Sequence, residues 1–123
     1  MNSFSIASLV FLGGGFGSLS RFGIGKFISN FHISKFPIGT LSANILATLI
    51  LGLTIFFLKD KIDSNNFIKY FVIIGFCGGF STFSTFSLET ITLFKDGFVY
   101  YGFVNILMSL SVAFLIIWVL VKH

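Results

Sequence analysis

The sequence predicts an all-helical integral membrane protein, with four transmembrane helices in a single domain, residues 1–123. Hydrophobic residues make up 55% of the chain and charged residues only 10%, and the mean hydropathy is +1.01. A soluble domain of this size needs more polar surface than this composition provides. Four stretches contain no charged residue, and each approaches or exceeds the roughly 18 to 20 residues that cross a bilayer. They are residues 1–20, 36–58, 70–88 and 97–121.

Small residues and one proline define the first two spans. We expect the four helices over residues 4–28, 37–58, 67–94 and 98–121, each bound being approximate. In the first span, Gly13 and Gly17 are four positions apart, a spacing that lets helices approach closely. Gly14 and Ser18 form a second such pair, so this span is predicted to pack against a neighbour. Pro37, the only proline, favours a helix start at the second span.

The third span contains the sequence GFCGGFSTFSTF, residues 75–86. Its paired glycines weaken a helix, and backbone freed by a break is tolerated at membrane depth only inside protein or beside water. We therefore predict a helix broken near residues 78–81, at a buried functional centre. At about 100° per residue, three phenylalanines are expected on one helical arc and four hydroxyl residues on the opposite arc. The phenylalanines are Phe80, Phe83 and Phe86, and the hydroxyl residues are Ser81, Thr82, Ser84 and Thr85.

Polar stripes are predicted on the second and fourth spans. Polar side chains in spans usually face the bundle interior or a water-filled pathway. Asn44 is notable because an unpaired amide is costly in hydrocarbon. It either makes an interhelical hydrogen bond or lines a pathway. The stripes are Thr40, Asn44 and Thr48 on the second span, and Tyr101, Asn105 and Ser109 on the fourth.

Two charged residues lie close to the membrane-facing stretches. Arg21 is near the water-facing end of the first span, where it either anchors the helix at the interface or draws anions toward a vestibule. Glu89 is the one carboxylate close to membrane depth. It is either a proton or ion site or an interfacial residue, and its place near the end of the helix favours the interface.

The positive charges give no orientation preference. Four spans put Lys59, Lys61, Lys69 and Lys122 on one side and Arg21, Lys26, Lys35 and Lys95 on the other, four against four. The positive-inside rule therefore has nothing to act on. The chain is predicted to insert in either direction, which permits an antiparallel homodimer. The alternative is a single orientation set by a partner or by unequal weighting of the charges.

Catalysis and nucleic-acid binding find no support in the residues. There is no phosphate loop, no nucleophile with a base, and no His or Cys cluster with metal spacing. The cations are dispersed, so no nucleic-acid partner is expected, and Cys77 is expected to be a small buried hydrophobe. The polar stripes indicate ion transport instead. Hydroxyls, amides and Phe ring edges suit an anion, whereas carbonyls freed near residues 78–81 suit a cation, so the sign of the ion stays open.

Three stretches in order resemble the Fluc (CrcB) family of fluoride channels. They are GGGFGSLSRF at residues 13–22, GTLSANILATLILG at 39–52 and GFCGGFSTFSTF at 75–86. With the four-span layout, the resemblance covers essentially the whole chain. It implies a multi-pass protein of the cell inner membrane that exports fluoride passively. It further implies an antiparallel homodimer with two pores and a central structural sodium ion.

The resemblance also assigns residues. The sodium ion would be bound by the backbone carbonyls of Gly78 and Ser81. The pore phenylalanines would be Phe83 and Phe86, and the pore asparagine Asn44. Departures from the family pattern affect packing more than ion choice: Ser81 stands for a usual Thr, Ala47 for Gly, Ser18 for Ala and Phe22 for Tyr. The remaining assignments are Ser84, Thr85 and Ser109 to a hydroxyl track and Arg21 to the vestibule.

Two other classes compete with this interpretation. A proton-coupled small multidrug transporter also has four short spans and dual topology, but it needs a titratable group at mid-membrane, and only Glu89 could serve. A non-transporting assembly subunit would account for the glycine pairs. It would leave the alternation of Phe and hydroxyl residues unexplained.

Overall fold

The computed structural model describes residues 1–122 and contains four helices long and apolar enough to cross a bilayer. The four-span prediction is therefore confirmed. The second helix is α-helical over Ile38–Leu58 and ends in a 3-10 turn at Lys59–Lys61. The four spans are Ser3–Ser29, Ile38–Lys61, Phe67–Lys95 and Val99–Val121.

Local sequence signals set the ends of these helices. The Asn2 side chain caps the first helix by accepting a hydrogen bond from Ser5 N at 2.8 Å. The second helix begins directly after Pro37, as predicted. Between the third and fourth spans, Gly97 adopts φ +89°, a backbone conformation that suits glycine. The chain turns there, and Phe98 N donates to Leu93 O at 2.8 Å, so the two spans are antiparallel neighbours.

The third span is not a uniform α-helix. It is a wide π-type helix over Phe67–Cys77, continues as a short turn over Gly78–Phe80, and is α-helical over Phe83–Lys95. Between the last two elements, Ser81 (φ −81°, ψ 157°) and Thr82 (φ −150°, ψ 118°) are extended. We refer to residues 67–80 as the N-terminal segment and to Phe83–Lys95 as the C-terminal segment.

The extended residues change where the phenylalanines point. Phe80 is 5% exposed, whereas Phe83, three positions later, is 77% exposed. The prediction that Phe80, Phe83 and Phe86 share one arc is therefore wrong. A uniform turn of 100° per residue cannot be counted across two residues that are not helical.

Glycines join the first span to the third. A Cβ added to Gly75 would lie 2.9 Å from the Cα of Gly13, and one added to Gly79 would lie 3.0 Å from the Cα of Gly14. Any larger residue at these positions would push the two backbones apart. The predicted packing of the first span through its small residues is confirmed.

The buried core lies between the second span and the N-terminal segment of the third. Ala43 and Ala47 are almost fully buried and leave room for the ring of Phe80. Phe76 adds an edge-on contact to Phe80, with ring centroids 5.6 Å apart. Because Phe80 is fixed in this way, the extended Ser81 and Thr82 are held beside the second span. Ile24 and Ile50 complete the cluster.

One smaller expectation is also met. Cys77 is a free, buried thiol with 5% exposure, which fits a small hydrophobe. The polar run after the second span is a short connection whose charged residues are exposed.

Candidate functional site

Four of the six residues predicted for the ion pathway line a single cleft, together with Ser81, which was predicted as a sodium ligand. This pore cleft, of about 200 Å³, lies between the second, third and fourth spans. It is open on one side, where the exposed Phe83 stands beside Phe86 with ring centroids 5.9 Å apart. The lining residues with a predicted ion-binding role are Asn44, Ser81, Phe83, Phe86 and Ser109; Thr48 and Thr82 were predicted only as members of polar stripes, and Leu110 and Ala113 were not predicted.

A second cleft, of about 280 Å³, lies between the first and second spans and the start of the C-terminal segment. It contains two cations, Arg21 and Lys26, and the Lys26 ammonium lies 5.9 Å from the centroid of the Phe22 ring. We call it the vestibule cleft, because its positive charge attracts anions. Its lining comprises Arg21, Phe22, Gly25, Lys26, Gly39, Thr40, Thr82 and Thr85.

A third cleft, of about 170 Å³, holds both residues proposed as sodium ligands, Gly78 and Ser81. Thr48 and Cys77 also line it, so the possible ligands around it are carbonyl and hydroxyl oxygens and one thiol sulfur. Within residues 1–122 no group of three His, Cys, Asp or Glu side chains comes together as a metal site. A cation bound here would be held by carbonyl and hydroxyl oxygen, which is the donor type that alkali ions use in proteins. We call it the carbonyl cleft.

The Asn44 side chain binds the backbone of Thr82 on both sides. Thr82 N donates to Asn44 Oδ1 at 2.7 Å, and Asn44 Nδ2 donates to Thr82 O at 3.2 Å. A side-chain amide here replaces the helical partners that an extended residue has lost. Asn44 therefore makes the predicted interhelical hydrogen bond and also lines the pore cleft, so the two interpretations of this residue are compatible.

Thr82 has a role that the sequence did not predict beyond its place among the four hydroxyl residues of the third span. It lines both the pore cleft and the vestibule cleft, so it lies where the two meet. Its hydroxyl accepts from Thr85 N at 3.2 Å and thereby caps the C-terminal segment. A threonine three residues before another hydroxyl residue is a signal for such a cap, but only once it is known that Ser81 and Thr82 are extended.

Arg21 reaches back from the vestibule cleft to the third span. Its Nε donates to the carbonyl oxygen of Gly79 at 3.2 Å, and the side chain is partly buried. A side chain that only anchors the helix at the interface would keep its guanidinium in water. The Nε of Arg21 is instead hydrogen-bonded to the third span. Arg21 therefore connects the vestibule cleft to Gly79, which lies shortly before the extended residues Ser81 and Thr82.

A second polar network joins the fourth span to the C-terminal segment. Asn105 is 1% exposed and donates from Nδ2 to Thr90 Oγ1 at 2.9 Å. Thr90 in turn donates to Phe86 O at 2.7 Å, and Ser109 donates to Asn105 Oδ1 at 3.3 Å. The stripe predicted on the fourth span thus faces the bundle, but its buried centre binds protein.

The hydrogen bonds of the pore cleft decide which groups can still bind an ion. The hydroxyls of Ser81, Thr48 and Ser109 already donate, to Cys77 O, Asn44 O and Asn105 Oδ1 respectively. Asn44 has two amide hydrogens and uses one on Thr82 O, so one is left. The Thr82 hydroxyl accepts from Thr85 N and is hydrogen-bonded to Ser84 Oγ at 3.4 Å, so its own hydrogen is available when Ser84 is the donor of that bond. Together with the Phe83 and Phe86 ring edges, these are the donors available to an anion.

Two further residues lie apart from the pore cleft. Ser84 is exposed, and its hydroxyl lies 3.4 Å from the Thr82 hydroxyl. Glu89 is partly buried, and its Oε1 atom is buried without a hydrogen-bond partner among the residues described. Glu89 is therefore not a simple solvated interfacial side chain in the single chain.

The fold and its clefts define a multi-pass helical membrane protein with hydroxyl, amide and aromatic groups facing an intramembrane cavity. Residues 8–121 match the family described as "CrcB-like protein, Camphor Resistance (CrcB)". The chain belongs to the CrcB family, as its three motifs predicted.

Several relatives cover most of the chain. One from a Nitratiruptor species is 40% identical over 107 residues, which is 87% of this chain and 82% of the relative. One from Ruminiclostridium cellulolyticum is 41% identical over 99 residues, 80% and 76% of the two chains. One from Pyrococcus horikoshii is 38% identical over 113 residues, 92% and 90%. All three are named "Fluoride-specific ion channel FluC". These names describe ion channels rather than enzymes, in agreement with the prediction of a non-enzyme.

Proposed function

We propose that this chain is a fluoride channel that exports fluoride passively across the inner (plasma) membrane and so lowers its toxicity inside the cell. The observation that carries the proposal is the pore cleft, where Asn44, Phe83, Phe86 and Ser109 meet beside the extended residues of the third span. The names of the relatives supply the ion. Fluoride enters cells as uncharged HF, ionises inside, and leaves down its own gradient.

The lining suits a small, strongly hydrated anion. Such an ion enters a low-dielectric cavity only if hydrogen-bond donors replace its water. The free amide hydrogen of Asn44, the Thr82 hydroxyl and the positive edges of two rings offer that replacement without a lysine that would trap the ion. Ser81 and Ser109 can join them by rotating their hydroxyls away from their present acceptors. Ser84 and Thr85 would extend the path toward the vestibule cleft, where Arg21 concentrates anions.

An antiparallel homodimer would complete this site. Phe83 is 77% exposed in the single chain, and Gly78 in the carbonyl cleft is exposed as well. A second copy that packs on this face would close both clefts and create two pores, one for each chain. The even division of positive charge between the two sides allows the two copies to insert in opposite directions.

Gly78 and Ser81 fit a central structural sodium ion. Both line the carbonyl cleft, and two copies would offer two carbonyl oxygens each. When bound, the ion would supply fixed positive charge between the pores. The protein's part is to hold the carbonyl oxygens free of helical hydrogen bonds and away from lipid.

The decisive experiment compares fluoride and chloride efflux from liposomes that contain the purified protein. We expect fluoride efflux without chloride efflux. Phe83→Ile and Phe86→Ile should each abolish fluoride efflux, because a branched aliphatic side chain has no positive ring edge. Phe114→Ile is the matched control, since Phe114 is 69% exposed on the fourth span and lines none of the three clefts. Full flux in both pore variants would remove these rings from the pathway.

One observation favours the proton-coupled alternative, namely the buried, unpartnered Oε1 of Glu89. A transporter of that class would need this carboxyl to exchange protons. We expect fluoride efflux to continue in Glu89→Gln vesicles with no proton gradient across the membrane. Proton-driven efflux of a cationic drug that the same substitution abolishes would favour the transporter.

A further inference from the structure

The backbone around the extended residues can be accounted for one carbonyl at a time. In an α-helix, each carbonyl accepts from the N–H four residues later. In an uninterrupted third span, Gly78 O would therefore accept from Thr82 N, and Ser81 O would accept from Thr85 N. These two carbonyls are the ones proposed to bind sodium.

Both of those N–H groups bind side chains instead. Thr82 N donates to Asn44 Oδ1 at 2.7 Å, and Thr85 N donates to the Thr82 hydroxyl at 3.2 Å. Asn44, from the second span, thus binds the N–H group that would otherwise donate to Gly78 O. The hydroxyl of Thr82 likewise binds the N–H group that would otherwise donate to Ser81 O.

Three neighbouring carbonyls, those of residues 77, 79 and 82, accept hydrogen bonds. Cys77 O accepts from Ser81 N at 3.1 Å and from Ser81 Oγ at 3.0 Å. Gly79 O accepts from Arg21 Nε at 3.2 Å, and Thr82 O accepts from Asn44 Nδ2 at 3.2 Å. The side chains around the interruption therefore bond some carbonyl oxygens and take the helical donors of others.

This arrangement has a consequence for cation binding. A carbonyl without a donor is costly in a membrane, so it regains a donor, is hydrated in a cavity or binds a cation. Asn44 and Thr82 prevent the first outcome at Gly78 and Ser81, which both line the carbonyl cleft.

We infer that Asn44 and Thr82 are positioning residues of the sodium site, because their side chains hold the N–H groups that would otherwise block its two carbonyl ligands. The inference rests on the proposed function for the existence of that site. It gives Asn44 two separable tasks: its Oδ1 serves the cation, and its free amide hydrogen serves the anion.

Sodium-dependent thermal stabilisation of the full chain in detergent tests the inference. The buffer contains N-methylglucamine in place of sodium, and the melting temperature is followed as NaCl is added. In Thr82→Val and Asn44→Leu, the sodium concentration for half-maximal stabilisation should rise by about fivefold or more, the factor that one ordinary hydrogen bond represents. Thr82→Ser keeps the hydroxyl and should restore the response.

Asn44→Asp separates the two tasks. Its carboxyl oxygen still accepts from Thr82 N, so the sodium response should persist, whereas the amide donor is gone and fluoride efflux should fall. Thr92→Val is the matched control, because it makes the same hydroxyl-to-methyl change in the same span. The Thr92 hydroxyl donates to Leu88 O at 2.8 Å, within its own helix. The control should titrate with sodium like the unchanged chain.

The outcomes separate this inference from the proposed function. Folded Thr82→Val and Asn44→Leu proteins that respond to sodium like the unchanged chain would overturn the inference and leave the channel standing. The inference would also be overturned if the unchanged chain conducts fluoride but is not stabilised by sodium. A chain that passes no fluoride, but whose sodium response shifts as described, would overturn the proposed function alone. If Asn44→Leu does not fold, the contrast between Thr82→Val and Thr82→Ser decides.

Discussion

Two asparagines reach the third span from different sides and do different things there. Asn44, on the second span, binds the backbone N–H and carbonyl of the extended Thr82. Asn105, on the fourth span, binds the side-chain hydroxyl of Thr90 in the intact C-terminal segment. Asn44 lines the pore cleft, whereas Asn105 is 1% exposed.

The difference lies in what each amide replaces. Asn44 substitutes for helical backbone partners, and an amide hydrogen is left over at a cavity. Asn105 adds a bond between two helices whose backbones are already satisfied. Polar residues in spans can thus serve a pathway or only fasten helices, and the exposure and partner of the amide separate the two cases.

Replacing Asn44 should have the largest effect. Asn44→Ala removes the partner of Thr82 and the free amide hydrogen of the pore cleft together, so we expect fluoride efflux from liposomes to fall at least about tenfold. Initial rates at equal protein density in the vesicles provide the measurement. Normal fluoride efflux by Asn44→Ala would mean that Asn44, like Asn105, only holds two helices together.

Arg21 should have a smaller effect that depends on salt. Arg21→Gln removes a positive charge from the vestibule cleft, and we expect the efflux rate to fall roughly threefold at low ionic strength because fewer anions are drawn in. At about 1 M of an impermeant salt, where the screening length is about 3 Å, the difference should largely disappear. A loss that is the same at every ionic strength would instead assign Arg21 to its bond with Gly79 O.

The network of Asn105 should matter for stability and little for flux. A double-mutant cycle of Asn105→Leu and Thr90→Val, measured by unfolding in detergent, should give a coupling of about 0.6 kcal/mol, the average for such bonds in membranes. Without sodium, the same cycle with Asn44→Leu and Thr82→Val should give no direct coupling energy, because Asn44 binds the backbone of residue 82. A larger coupling in the second cycle would mean that Asn44 acts on the Thr82 side chain.

Composition and the spacing of small residues were sufficient to predict the four spans and the close packing of the first one. Charge-free stretches gave the four helices, and Gly13 and Gly17 gave the close packing of the first span. These features depend on residues near one another along the chain. The family followed from three motifs in order, which the match to residues 8–121 confirms.

The details of the site depended on contacts that no single stretch contains. The predicted arc of Phe80, Phe83 and Phe86 failed because helical counting does not pass through Ser81 and Thr82. Thr82 was predicted only as one of four hydroxyl residues, because its particular role depends on a contact with Asn44, 38 positions away. The roles of Asn44, Phe83, Phe86 and the sodium ligands stay predictions, although the structure brings most of these residues to shared clefts.

The tight turn at Gly97 also bears on how the protein is made. Only residues 96–98 separate the last two spans, so these two helices must enter the bilayer as one hairpin during synthesis. Neither can reverse without the other. The orientation of these two spans in the membrane is therefore decided once for the pair.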